Sequence, residues 1–334
     1  MLRIYTRENE CLVPADLTVA AECEPTLPAG QILWVDLLHP TPEEDRFVER
    51  LVNVSIPTRE EMEEIEMSSR LYSEDGGEFM TIAGLAQLDT DSPLLTPITF
   101  VLKGQILVTV RFAEPRPFLA YSTRAQRPGA LNVTAGEQIM LGLLEALIDR
   151  IADTIERVGA KIDTISHEVF HNSNVNAGRK TSDFRSVLVE IAREGDMLSM
   201  VRESLVSMTR VLTYHTAVTE DSNKKAIKET RQRIRSIQRD ISSLTDHSTY
   251  LSSKVTFLLD ATLGLINLEQ NQIIKIFSIA SVCLMPPTLV ASIYGMNFKF
   301  MPELEFAAGY PIALGLMVIT AIIPFIYFRR KGWL

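Results

Sequence analysis

Gly295-Met296-Asn297 closes the first of two long uncharged runs near the C-terminal end of the chain, Ile276 to Phe298 and Phe306 to Phe328. Asn297 brings a neutral carbonyl and amide to the end of the first run, and Gly295 is expected to supply the left-handed conformation that closes a helix. Below them Asn267, Asn271, Ser278, Ser281, Thr288 and Ser292 step by 4, 7, 3, 7 and 4, which puts all six on one helical face, with Ile274 and Met285 filling the gaps. Small hydroxyls in a membrane helix also serve close packing. The two asparagines, and Asp260 extending the same face, favour a water-filled path, because polar groups at membrane depth are tolerated where they line a cavity. Two spans cannot enclose a pore, so this reading requires a symmetric ring of copies.

A second constellation competes. His167-Glu168-Val169-Phe170-His171 matches H-E-x-x-H, whose spacing places two imidazoles on one helical face for zinc with the glutamate as base. No third ligand stands in context, and the motif ends a helix beside the turn-forming run from Asn172 to Gly178. Chance occurrence on a solvated helix is therefore the expectation, and a membrane zinc metalloprotease is the remote alternative. The chain carries no Walker loop for ATP-driven pumping, so the expected driving force is the cation gradient and membrane potential, and no enzyme is expected.

The uncharged runs hold about 23 residues each, enough to cross the roughly 30 Å hydrocarbon core as helices. Arg329, Arg330 and Lys331 follow the second run, as the positive-inside rule expects of a cytoplasmic terminus. The N-terminus has no apolar signal region. Both termini are expected inside a plasma membrane, bacterial inner membrane in type, with the short loop outside. A formal charge of -9 argues against a nucleic-acid partner and suits a protein that gathers cations. Cys11, Cys23 and Cys283 form neither a zinc pair nor a disulfide framework.

The pattern divides the chain. Residues 1–133 read as a small α/β domain, with strands at Ile32 to Leu37, Phe79 to Leu88, Ile98 to Leu102 and Gln105 to Arg111, and a hairpin turn at Lys103-Gly104. Thr41 and Thr58, each followed by acids, read as helix caps. Residues 134–270 read as helical, with helices near 135–170 and 181–217 and a stalk over about 222–270. Ile234, Ile237, Ile241, Leu244, Leu251, Val255, Leu258 and Leu265 keep an a/d register along that stalk, which runs on into the first span. The remaining parts are a first membrane helix at 271–296, an external loop at 297–305, a second membrane helix at 306–328 and a basic tail at 329–334.

Tyr294-Gly295-Met296-Asn297-Phe298, Met301-Pro302-Glu303-Leu304, Asn271-Gln272-Ile273-Ile274-Lys275-Ile276-Phe277, Met285-Pro286-Pro287-Thr288 and the ending Tyr327 to Leu334 closely resemble the CorA family of magnesium and cobalt transporters. The likeness is strongest from Arg239 onward and extends weakly to Trp34-Val35-Asp36-Leu37 and the segment Thr58 to Ile65. It implies a homopentameric, funnel-shaped, channel-like transporter that passes hydrated Mg²⁺, with Co²⁺ and Ni²⁺ as further substrates. Carried over position by position, Gly295, Met296 and Asn297 form the selective mouth, while Met285 and Phe277 form apolar constrictions. Asn271 and Asp260 form inner polar rings, and Lys275 is a basic position near the membrane surface. Asn267, Ser278, Ser281, Thr288 and Ser292 complete the expected pore lining.

Family members often have an acid directly after the Phe298 position, where this chain has Lys299, leaving Glu303 and Glu305 to attract cations. Met296 favours the CorA branch over the related zinc-transporting ZntB branch, which is kept as the alternative. The resemblance also implies closure by cytoplasmic Mg²⁺, for which Asp89, Asp91, Asp240 and Asp246 are the candidate oxygen ligands.

Overall fold

The computed structural model describes residues 1–8, 11–17, 27, 30–90, 92–127, 129, 133–171, 180–219, 225–297, 299, 301 and 308–333. Seven strands form one mixed sheet: β1 (Leu2–Glu8), β2 (Cys11–Leu17), β3 (Gln31–Leu38), β4 (Leu71–Glu74), β5 (Gly77–Ala86), β6 (Leu94–Lys103) and β7 (Ile106–Arg111). Their order is β2-β1-β3-β7-β6-β5-β4, with β3 and β7 parallel and every other pair antiparallel. The β6–β7 hairpin closes as its sequence suggests, Lys103 pairing with Ile106 and Gly104 taking φ +59° at the turn.

Two short helices enter through the threonine caps read from sequence. α1 (Pro42–Val52) and α2 (Arg59–Glu63) both start with full capping boxes, Thr41 with Glu44 and Thr58 with Glu61, so two orphan amides of each first turn are satisfied. α3 (Met67–Arg70) leads into β4. Alternation along the strands sorts the two faces. Val35, Leu37, Val101, Val108 and Val110 pack with Phe47, Val48, Val52 and Met62 of the capped helices. On the other face Trp34 stacks on Tyr5 at 4.1 Å and meets Phe118 and Tyr121 of α4 (Arg116–Ala125) at 6.4 and 6.2 Å.

Three long helices follow: α5 (Gly136–His171), α6 (Lys180–Thr219) and α7 (Lys225–Tyr294), the last running 70 residues without interruption. The a/d stripe of the first half of α7 is buried at Ile234, Ile237, Ile241, Leu251 and Leu258. It is crossed by polar links: Arg233 grips Glu145 of α5 at 2.6 and 2.7 Å, Lys254 pairs with Asp163, and Arg202 donates to Ser252 at 3.0 Å. α5, most of α6 and the first half of α7 belong to the same compact unit as the sheet, Met1–Val175 with Val187–Leu258. A second unit combines Asn176–Ser186 with Leu259–Leu334, and its described elements are the first residues of α6, the rest of α7 and α8 (Gly309–Arg330).

Candidate functional site

In the second unit α7 and α8 each have the length and hydropathy of a membrane span. At 100° per residue, Asp260, Asn267, Asn271, Ser278, Ser281, Met285, Thr288 and Ser292 fall within an arc of about 100° on α7. Each of them is exposed, as is Phe277 at the edge of the arc. Ile279 is buried in this span and Ala313 is buried in α8. Ile279 lies about 130° round the helix from the centre of the polar arc. Leu289 falls at the edge of the polar arc, so the stripe is mixed at its upper end.

The hydroxyls in the stripe are partly satisfied within the helix: Ser281 donates to the Phe277 carbonyl at 2.9 Å and Thr288 to Leu284 at 2.7 Å. Their oxygens keep lone pairs for an outside donor such as water. Pro286 and Pro287 stand inside α7, and having no N–H they deprive the Val282 and Cys283 carbonyls of their usual partners. The helix is thus weakest beside Met285.

At the upper end the expectation for Gly295 needs correction. It is not among the described glycines with positive φ; its N–H donates to the Ala291 carbonyl at 2.9 Å, and Met296 N–H donates to Ile293 at 3.2 Å. The last turn simply tightens. What glycine provides here is close approach, since a Cβ would stand 3.1 Å from the Ala291 oxygen. Asn297 follows directly and is exposed. Glu303 and Glu305 lie outside the described residues.

The acids expected to hold a regulatory cation are not assembled in one chain. Asp240 and Asp246 are exposed on α7, Asp91 lies outside the described residues, and no group of three or more potential metal ligands occurs among the described residues. Asp89 has other company: Arg150 reaches Oδ1 at 2.5 Å, Arg157 the same oxygen at 3.2 Å, and Arg116 reaches Oδ2 at 2.7 Å. The hydrogen bond from Arg150, reinforced by the other two guanidiniums, holds the Asp89 carboxyl below the usual carboxylate range. Beside it opens a cavity of about 350 Å³ lined by Arg157, Lys161, Arg193, Glu194 and Asp196. Sequence spacing gave no hint of this cage, because its arginines come from two helices distant from Asp89 in the chain.

The H-E-x-x-H motif gains no third ligand among the described residues. His167 and Glu168 are exposed on α5, and no metal-binding group forms around them among the described residues. Among the described histidines a different one is buried. His215 of α6 lies between Glu78 Oε2 at 2.8 Å and Glu137 Oε1 at 2.9 Å. Burial pushes its imidazole down, and the bonds to Glu137 and Glu78 more than reverse this, so that it is pushed up to about 9.

The family model described as CorA-like Mg²⁺ transporter protein matches residues 29–330 of this chain. The magnesium transport protein CorA of Haemophilus influenzae is 36% identical over 302 residues, covering 90% of this chain and 92% of its own length. The protein of the same name from Escherichia coli K12 is 34% identical over 334 residues, covering the whole of both. In three dimensions the chain is similar to the complete CorA magnesium transporter of Methanocaldococcus jannaschii, with a TM-score of 0.75 at 19% identity over 100% of this chain and 99% of the other.

Proposed function

Because this chain belongs to the family of CorA-like Mg²⁺ transporter proteins, we infer that it is a channel-like transporter carrying hydrated divalent cations across a membrane into the cytoplasm, down their electrochemical gradient. Mg²⁺ is the proposed main substrate, with Co²⁺ and Ni²⁺ as further ones. The observation that carries this reading is the run of polar side chains from Asp260 to Ser292 along one exposed face of α7. A ring of copies, proposed as a homopentamer, would bring that face to a common axis, with α8 outside and the sheet-containing unit in the cytoplasm.

The chemistry follows from the ion. Mg²⁺ dehydrates reluctantly, so a ring of neutral Asn297 amides can hydrogen-bond its water shell without stripping it. Weak, repeated contacts at Ser292, Thr288, Ser281, Ser278, Asn271, Asn267 and Asp260 would then pass the ion inward, since conduction needs sites that release as readily as they bind. Asp89, Asp91, Asp240 and Asp246 remain proposed for closure only as ligands shared between neighbouring copies, with Asp89 available once its arginines let go.

The test is Asn297→Ala in the full chain reconstituted into vesicles. Loss of Mg²⁺ uptake with the oligomer intact supports the pore. Unchanged uptake refutes the proposed mouth. Comparing uptake of Mg²⁺, Co²⁺, Ni²⁺ and Zn²⁺ in the same vesicles separates this reading from a zinc transporter.

A further inference from the structure

We propose that the C-terminal end of α8, together with Lys275 of α7, binds the phosphate headgroup of an anionic phospholipid in the cytoplasmic leaflet. This rests on the reading that α7 and α8 cross a bilayer with the basic tail inside. The geometry begins with the way α8 stops. Trp333 N–H donates to the Phe328 carbonyl at 3.1 Å, Gly332 N–H donates to Arg329 at 3.2 Å, and Gly332 takes φ +72°. These are the two hydrogen bonds and the left-handed residue of a Schellman stop, and its usual apolar contact is present, with the Phe328 and Trp333 rings stacked at 5.4 Å.

The tail is therefore folded back, and Trp333 is held in place. Lys275 Nζ lies 5.9 Å and Lys331 Nζ 5.7 Å from the Trp333 ring, and Lys331 also lies 5.6 Å from Tyr327. Two ammonium groups share one indole, with Arg329 and Arg330 exposed on the adjoining turn. None of the four cations makes an ion pair with a carboxylate among the described residues, and Glu269, the nearest acid before Lys275 on α7, reaches none of them. Like charges gathered around a ring call for an anion. Ile276, Phe325 and Ile326, next to these cations in the chain, are 53%, 45% and 46% exposed. A lipid satisfies both needs, phosphate for the cations and acyl chain for the apolar side chains; a free anion satisfies one.

Tryptophan fluorescence reads the site directly. Trp34 is the only other tryptophan, and it is fully buried in the sheet. The full chain is reconstituted in phosphatidylcholine vesicles holding a minority of phosphatidylglycerol, with brominated chains on one lipid or the other. Brominated phosphatidylglycerol should quench Trp333 beyond its share of the bilayer, by about fivefold for each cation engaged. Lys275→Gln with Lys331→Gln should bring quenching back toward that share, and the two Lys→Arg changes should preserve the excess. Quenching that follows bulk composition in the unsubstituted protein overturns the lipid site and leaves the transport reading standing. An excess abolished by inorganic phosphate at matched ionic strength also overturns it, as a soluble-anion site. Absence of quenching by either lipid refutes membrane placement itself, and this inference with it.

Discussion

Arg150 Nη2 donates to Asp89 Oδ1 at 2.5 Å, so this acid, proposed above as a ligand for a regulatory cation, is already occupied by a cation of the protein's own. If cytoplasmic Mg²⁺ closes the pore through Asp89, it must compete with Arg150, Arg157 and Arg116. Arg150→Gln should therefore lower the Mg²⁺ concentration that half-inhibits uptake, and Asp89→Ala should raise it. Uptake by vesicles with internal Mg²⁺ clamped at a series of concentrations measures both. The same inhibition curve for both variants and the unsubstituted protein removes Asp89 from closure.

His215 gives the fold a pH dependence of defined sign. Its folded value is raised, from 6.5 to about 9, so the stability it contributes is fully present below 6.5 and is lost as pH rises through about 9. The urea midpoint of the full chain in detergent should fall between pH 7 and pH 10 by more than in His215→Gln. At pH 7 that substitution should cost about 3 kcal/mol, because it leaves Glu78 and Glu137 facing each other without the imidazolium. An identical pH profile in the variant would exclude the histidine as the cause.

Asp36 and Arg111 are each 4% exposed and joined at 2.7 Å, with Thr109 donating to the same acid and Trp34 donating in turn to Thr109. Removing one partner of a buried pair strands the other, so Asp36→Ala should cost about 3 to 5 kcal/mol. Because Trp34 ends this chain of hydrogen bonds, its emission should report the loss at lower urea than in the unsubstituted protein. A shift of less than 1 kcal/mol would mean that water reaches Arg111 in the variant.

What could be read from the chain and what could not divide along physical lines. The spans, the two threonine capping boxes, the β6–β7 hairpin and the buried stripe of α7 were legible because each depends on residues a few positions apart. β1, β2, β4 and α4 were not read. β2 and β4 are partly exposed edge strands, β2 interrupted by Pro14 and β4 only four residues long, and α4 has only ten residues. At Gly295 the residue type was informative but the backbone state was not, since close packing and left-handed φ both select glycine. The arginine cage of Asp89, the carboxylates about His215 and the lysines about Trp333 are long-range encounters, invisible to spacing.

Gly136 ties α5 to the sheet. Its N–H donates to Gln105 at 2.8 Å, and a Cβ there would stand 2.4 Å from the Leu107 nitrogen and 2.7 Å from the Ile106 carbonyl carbon. Those are backbone atoms of β7 and cannot swing aside, so Gly136→Ala should destabilise by about 1 to 3 kcal/mol, whereas Gly264→Ala, with nothing within 4 Å, should be neutral or stabilising. Thermal unfolding of both variants in one detergent gives the comparison, and equal midpoints would contradict the contact.

Met285 and Phe277 are 69% and 70% exposed, eight residues apart along α7, which separates them by about 12 Å along the helix and, in the proposed pore, would make them apolar rings at two depths. Apolar rings at two depths can empty a narrow pore of water and so close it without a plug. Beside the upper ring, Pro286 and Pro287 loosen the helix, so a small change there can alter the width at Met285. Met285→Ser should wet this constriction and raise Mg²⁺ flux measured at an inhibiting internal Mg²⁺ concentration. A barrier lowered by about 1.4 kcal/mol corresponds to a tenfold gain. Ile276→Ser, on the opposite face of the same helix, should leave that flux nearly unchanged provided the protein still assembles. Equal gains from both substitutions would point to general loosening of α7 and remove Met285 as the gate.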